Sequence, residues 1–316
     1  MIKKRKSKIV NYASLVKFSH SIFALPFAIT GFFMASHYYE YDYQWHQLLF
    51  VVLCMVLARN AAMAFNRWAD ARIDTKNPRT AQREIPAGVI KPRQALIFVI
   101  INILAFFVVC FLINPLVFAL SPVAILIVLG YSYTKRFTSL SHYVLGLGLA
   151  IAPTAAFLVV SAEFEILPVL LSTMVLFWTA GFDIIYALQD EGFDKNKKLH
   201  SIPSKIGRKN ALILSAVTHL ISIIVLFSIG WFYIPNLLYL IGAALFSLLL
   251  IYQHLIVTPK DISRINLAFG TLNGIASIVF ALFCILAITN KKESASKQAL
   301  LWNSKQTRSY ELVFPD

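Results

Sequence analysis

Leu48-Leu49-Phe50-Val51-Val52-Leu53-Cys54-Met55-Val56-Leu57-Ala58-Arg59-Asn60-Ala61-Ala62-Met63-Ala64-Phe65 runs without a break into Asn66-Arg67-Trp68-Ala69-Asp70-Ala71-Arg72-Ile73-Asp74. The first stretch is about as long as a helix needs to cross a bilayer. The second is charged. The pattern returns later: an apolar run from Ile166 leads into Asp183-Ile184-Ile185-Tyr186-Ala187-Leu188-Gln189-Asp190-Glu191-Gly192-Phe193-Asp194. Carboxylates are costly near hydrocarbon, so several of them at a membrane boundary point to a site that needs negative charge. A divalent cation is the natural partner.

Working outward, 58% of the residues are hydrophobic and 14% charged, with a mean hydropathy of +0.69. That is the composition of a polytopic membrane protein, and it leaves no room for a large soluble domain. At about 20 apolar residues per span, nine segments qualify: Leu15 to Ser36, Leu48 to Phe65, Ala95 to Ile113, Leu116 to Tyr131, Tyr143 to Val160, Ile166 to Leu188, Ala211 to Ile229, Ile234 to Ile256, and Leu267 to Ile288. The expected fold class is an all-α bundle of nine transmembrane helices forming one domain over residues 1–290. Pro26, Pro122, Pro153 and Pro168 are tolerable there if neighbours satisfy the freed carbonyls. Residues 291–316 are polar and aperiodic and read as a flexible tail. No small-residue cleavage site follows the basic start, so the first helix is expected to be retained. Cys54, Cys110 and Cys284 lie in apolar runs without metal-ligand spacing and read as small buried hydrophobes.

A net charge of +14 would suit a nucleic-acid partner, but the basic residues sit in loops between spans instead of forming a patch on a folded domain. They follow a topology. One set of connections holds Lys3 to Lys8 and Lys17, Arg67 to Arg93, Lys135 and Arg136, Lys195 to Lys209, and Lys260 and Arg264. The alternate connections, His37 to Gln47, Asn114, Ser161 to Glu165 and Gly230 to Tyr233, hold no Lys or Arg. The positive-inside rule then predicts a cytoplasmic N-terminus and both acidic motifs facing the cytoplasm. The tail departs from this pattern, carrying Lys291, Lys292, Lys297, Lys305 and Arg308 on the far side of a ninth span.

Residues four apart stack on one face of a helix. Asn66, Asp70 and Asp74 form one column, and Asp183, Tyr186, Asp190 and Asp194 another. Oxygen-only ligands suit a hard cation, and Mg²⁺ takes one or two carboxylates while completing its octahedron with water and substrate phosphates. Two facing columns would hold Mg²⁺ bridging a diphosphate. The plainer reading is that these aspartates are solvated charges or helix caps. Two matching columns on one side of the membrane, each followed by cations, weigh against it.

Asp74 is followed by Lys76, Arg79 and Arg83 and then Ile85-Pro86-Ala87-Gly88. Asp194 is followed by Lys195, Lys197 and Lys198 and then Ile202-Pro203-Ser204-Lys205-Ile206-Gly207. Asp70 to Asp190 and Asp74 to Asp194 are equal intervals, which suggests pseudo-two-fold related halves around a central cavity. Cations beside the carboxylates can bind phosphate oxygens, although most also serve topology. Arg59 and Asp183 stand out by their depth in apolar runs. Arg59 is placed to receive a small anionic acceptor, or else to pair with Asp183 or snorkel.

These residues resemble the UbiA superfamily of intramembrane prenyltransferases. Its N-x3-D-x3-D signature is met by Asn66, Asp70 and Asp74, and its later D-x3-D signature by Asp190 and Asp194 with Asp183 and Tyr186. Lys17-Phe18-Ser19-His20 leading to Leu25-Pro26, the Arg59 to Asn66 approach, and Arg79-Thr80 to Pro86-Ala87-Gly88 look similar to the 4-hydroxybenzoate polyprenyltransferase branch. The resemblance implies Asp-bound Mg²⁺ holding a polyprenyl diphosphate. Asn66, Asp70, Asp74, Asp190 and Asp194 would form the metal site, with Lys17, Arg79, Arg83 and Lys135 as diphosphate partners, Tyr186 beside the donor, and Arg59 on the acceptor carboxylate. Arg67 departs from relatives that carry a second acidic residue there, leaving the first motif one carboxylate short.

The chemistry implied is ionisation of the donor's C–O bond and attack on the allylic cation by an electron-rich ring carbon, as in quinone biosynthesis. Other acceptors of the superfamily stay open: dihydroxynaphthoate, a futalosine-pathway intermediate, haem, a chlorophyllide or a glycerol phosphate lipid. Membrane phosphotransferases acting on CDP-activated donors need a D-G-x2-A-R start, which is missing. A transporter lined by Arg59 and Asp183 remains the alternative of a different class.

Overall fold

The computed structural model describes residues 8–16 and 23–290, all as helices and the turns between them. Lys17, the N-terminal arm and the 291–316 tail therefore lie outside the described residues. The helices are α1 (Lys8–Val16), α2 (Leu25–Phe33), α3 (Trp45–Ala69), α4 (Ala71–Asp74), α5 (Pro92–Ile113), α6 (Pro115–Thr134), α7 (Ser141–Ser161), α8 (Ile166–Ala187), α9 (Glu191–Lys197), α10 (Ile202–Phe232), α11 (Leu237–Ile256) and α12 (Leu267–Asn290). Eight of those described are long and apolar enough to span a bilayer, and they match eight of the nine predicted segments. Of the first predicted segment, Leu15 and Val16 close α1, and the described residues from 23 onward form a turn, α2 and the start of a π-helical extension, Met34–Tyr38. Pro115 at the start of α6, capped by the Asn114 side chain accepting from the Val117 amide, makes the fourth span twenty residues long.

Lipid offers little driving force for joining apolar helices, so close backbone approach and interhelical hydrogen bonds hold such bundles together. Both occur. A Cβ on Gly31 of α2 would lie 2.1 Å from the Pro153 carbonyl oxygen of α7, and one on Gly146 of α7 would lie 2.5 Å from that of Leu176 in α8. Only glycine permits these approaches. Ser215 and Ser222 of α10 donate to the Gly181 and Met174 carbonyls of α8 at 2.7 and 2.9 Å. Phe27, Trp178, Phe246 and Phe280 are fully buried together in the α2–α8–α11–α12 core.

The connections gather at two ends. At one end, Arg136 reaches Asp70, Arg79 reaches Asp190, and the His200 amide donates to the Lys135 carbonyl at 2.7 Å. These are the basic connections. At the other end, Tyr38 donates to the Tyr233 carbonyl and Tyr41 to Glu163, both at 3.0 Å, across connections that contain no Lys or Arg. The charge alternation seen in the sequence is thus a separation in space.

Candidate active site at the basic end of the bundle

Each acidic column sits where a span breaks, and this corrects the expectation of a continuous helix. α3 ends at Ala69, Asp70 adopts φ −92° and ψ 4°, and α4 then carries Asp74. α8 ends at Ala187, a 3₁₀ turn covers Leu188–Asp190, Asp190 adopts φ −102° and ψ 2°, and α9 carries Asp194. Both aspartates occupy the sparsely populated bridge region between helix and strand. The column survives the break in the first motif because the Asp70 amide still donates to Asn66 (2.9 Å) and the Asp74 amide to Asp70 (2.8 Å). Two segments of the sequence thus make the same joint.

One cavity of about 260 Å³ takes side chains from both joints. Asn66, Asp70 and Asp74 line one wall, and Asp183, Tyr186, Asp190 and Asp194 another; Arg79, Arg83 and Lys135 stand between them, with Arg59 on the same lining. Every predicted site residue that the structure describes therefore reaches it. Asp70, Asp74 and Asp194 are buried to 4–5% exposure, and buried carboxylates need partners. Arg83 Nη1 donates to both oxygens of Asp74 at 2.8 and 2.9 Å. Arg79 grips both oxygens of Asp190, Nε donating at 2.9 Å and Nη2 closing the fork. Such forked, charge-assisted bonds fix geometry as well as energy. Arg79 also donates to the Tyr186 hydroxyl at 3.3 Å, and the Tyr186 ring stacks on Phe269 at 4.1 Å.

Phe269 owes its place to an irregularity. Residues Leu267–Leu272 open α12 as a π-helix, a form common at functional sites. Buried Asn273 closes the gap by donating to the Ala268 and Phe269 carbonyls at 3.0 and 3.1 Å, while its own oxygen accepts from Trp178 and Gln253 at 2.8 Å.

Burial raises the Asp70 carboxyl above the ordinary carboxylate range, with Lys135 and Arg136 pulling the other way and Asp74 adding to the rise. Burial lowers Arg79, but Asp190 more than restores it, so this guanidinium is held above its usual value.

Several partners escaped the sequence reading. Arg136 donates to Asp70 Oδ1 at 3.1 Å and to the Ala69 carbonyl at 2.7 Å, whereas Lys135 stands 4.0 Å from Oδ2. Asn77 donates to Asp190 Oδ1 at 3.0 Å. His142, in the middle of the sequence without a motif around it, meets Asp183 at 2.7 Å, so Asp183 is not the partner of Arg59. The Arg59 Nε is buried without a hydrogen-bond partner among the described residues. The lysines after Asp194 behave differently from those expected to neutralise it. Lys195 pairs with Glu191 at 2.7 Å, and Lys195, Lys197 and Lys198 are absent from the cavity lining.

The donors that Asn66, Asp70, Asp74, Asp190 and Asp194 offer a metal are carboxylate and amide oxygens, the chemistry of a hard cation. Among the described residues no three His, Cys, Asp or Glu side chains close into a metal shell. A cation here would draw one or two carboxylates from each wall and fill its coordination from water and an anionic ligand, which is how Mg²⁺ binds.

Comparison with known proteins gives the same picture. The 4-hydroxybenzoate octaprenyltransferase of Vesicomyosocius okutanii is 31% identical over 234 residues, 74% of this chain and 85% of that protein. Its namesake in Aliivibrio salmonicida is 27% identical over 241 residues, covering 75% and 82%. The apo structure of a UbiA homolog from Aeropyrum pernix K1 matches with a TM-score of 0.77 at 29% identity, covering 84% of this chain and 97% of that one. A UbiA homolog from Archaeoglobus fulgidus bound to GPP and Mg²⁺ shares the fold at 21% identity, with a TM-score of 0.65 and coverage of 88% and 99%. The UbiA prenyltransferase family model matches residues 24–291. With the acidic joints, the shared cavity and the spanning helices in place, the chain is an integral membrane protein that belongs to the UbiA prenyltransferase family.

Proposed function

We propose that this protein transfers a polyprenyl group from a polyprenyl diphosphate to a ring carbon of an aromatic acid, 4-hydroxybenzoate, in quinone biosynthesis. The observation that carries the reading is the pairing of two acidic joints with a set of arginines around one cavity, with a further Arg59 Nε on its wall that has no partner among the described residues. The relatives named 4-hydroxybenzoate octaprenyltransferase and the homolog bound to GPP and Mg²⁺ support the acceptor, the donor class and the metal.

Asn66, Asp70 and Asp74 on one wall and Asp190 and Asp194 on the other would hold Mg²⁺, which supplies charge neutralisation to a departing diphosphate. Arg79, Arg83 and Lys135 would then exchange carboxylate for phosphate oxygens, and Lys17 is proposed to join them. Tyr186, stacked on Phe269 and with the Arg79 guanidinium 5.6 Å from its ring centre, would stand beside the donor. Arg59 binds the acceptor carboxylate through its Nε. The basic end, with both joints, faces the cytoplasm of an inner-membrane protein.

Membranes bearing the protein, incubated with Mg²⁺, a mixture of prenyl diphosphates and a panel of aromatic and lipid acceptors, should yield prenylated 4-hydroxybenzoate by mass. Another prenylated aromatic in its place would overturn the acceptor. Substrate transport without diphosphate release would overturn the enzyme.

A further inference from the structure

Of the chemistry-bearing groups on the cavity wall, the pair His142 and Asp183 is left without a part in holding the diphosphate. Asp183 lies seven residues before Asp190, about two helical turns deeper in α8. His142, in the first turn of α7, is 3% exposed. Its two ring nitrogens have distinct work. Nε2 accepts from the Ile202 amide at the start of α10 (3.3 Å), which puts the ring proton on Nδ1. Nδ1 then donates to Asp183 Oδ2 at 2.7 Å. A hydrogen bond on one nitrogen setting the tautomer of the other is the usual way a histidine orients a carboxylate.

Asp183 Oδ1 has no hydrogen-bond partner among the described residues, and the side chain, 20% exposed, lines the cavity. Its surroundings call for a polar ligand. Five buried side-chain atoms lack a partner among the described residues, and three of them line this same cavity: Arg59 Nε, Ser132 Oγ and Thr179 Oγ1. Thr179 is fully buried and sits one turn from Asp183 on α8. Buried polar atoms are otherwise satisfied as a rule, so this clustering marks where an oxygen-bearing acceptor would lie.

We infer that His142 is a positioning residue that aims Asp183 at the acceptor ring, and that Asp183 receives the proton the attacked ring carbon releases. This rests on the prenyl-transfer reading above. The donor's C–O bond breaks with its electron pair leaving on the diphosphate, and a ring π pair forms the new C–C bond. The C–H pair at that carbon returns to the ring, and its proton passes to the Asp183 carboxylate. No other reactant is needed.

The test compares wild type, His142→Phe, His142→Asn and Asp183→Asn, and the His142→Phe/Asp183→Asn double variant, with ring-deuterated and ordinary 4-hydroxybenzoate. A positioned general base contributes about 10²- to 10⁴-fold. His142→Phe should therefore lower kcat roughly 10- to 100-fold, leave the donor KM within about twofold, and expose a ring-deuterium isotope effect absent in wild type. His142→Asn keeps an N–H near Nδ1 and should recover most of kcat, which separates positioning from folding. Residues acting as a unit are non-additive, so the double variant should be no slower than Asp183→Asn alone. Unchanged kcat in His142→Phe, or a loss that carries no isotope effect and is not rescued by asparagine, would overturn the inference. If wild type prenylates a different aromatic instead, the acceptor reading falls, and the same measurements on that aromatic decide the inference.

Discussion

The two acidic joints are alike in backbone and unlike in charge. Asp70 and Asp190 break their helices with nearly the same dihedral angles, and each is followed by a short helix carrying the second aspartate. Around the first, however, Arg83 and Arg136 bind Asp74 and Asp70, and Arg79 from that same half crosses over to bind Asp190. Among the described residues the second joint has no such cation from its own flank: Glu191 takes up both Lys195 and Arg208, each at 2.7 Å. The two joints thus share their carboxylates, while the arginines that pair with them come from the connections after α4 and α6. A diphosphate held here would be gripped chiefly by the 74–83 segment.

That asymmetry can be broken by experiment. The carboxylates should be equivalent: Asp70→Asn and Asp190→Asn should each lower kcat/KM on the order of 10³-fold, the scale of losing a group that stabilises transition-state charge. Unequal losses would mean that one joint alone holds the metal. The cations should be far from equivalent. Arg79→Ala should lower kcat/KM for the donor about 10²-fold, while Lys195→Ala, which removes only an exposed ion pair, should change it less than about twofold. A large loss in Lys195→Ala would return the second half to the phosphate site. Steady-state rates at saturating Mg²⁺ decide both.

The sequence shows the symmetric part of this comparison and hides the asymmetric part. Spans are legible because an uninterrupted apolar run has one stable fate in lipid, and the aspartate columns because four-residue spacing is local. Arg136 reaching Asp70, His142 reaching Asp183 and Asn77 reaching Asp190 are long-range pairings set by how α6, α7 and the 75–91 segment pack. Nothing near those residues announces them. Glu191 was visible as an acidic residue beside Asp190, yet its capture of Lys195 and Arg208 follows from α9 and α10 meeting in space. Even the break at Asp70 is masked, since the i−4 hydrogen bonds that generate the spacing continue through it.

Arg136 gives a finer test of the first half. Its charge works against the burial that raises Asp70, and only the ionised carboxylate binds a cation. Arg136→Met should raise the Asp70 pKa further, so the acid limb of the Mg²⁺-dependent rate should move to higher pH. Lys195→Ala should leave it in place. A limb that stays put in Arg136→Met would mean that Asp70 is not the group titrating.

The smallest effect lies where the joints end. α9 closes with Lys198 in the left-handed region, φ 54° and ψ 35°, its amide bonded to the Asp194 and Lys195 carbonyls, whereas α4 closes on Thr75 in the right-handed region. A β-carbon in that left-handed conformation costs about 1 kcal/mol, and glycine returns part of this through the freedom of its unfolded chain. Lys198→Gly should therefore stabilise by about 0.5 kcal/mol, which is roughly 1 °C in the unfolding midpoint. Because the Lys198 side chain is exposed and off the cavity lining, turnover should be unchanged. If turnover fell tenfold, the lysine charge itself would be serving the site, and the one-sided grip on the diphosphate would have to be given up.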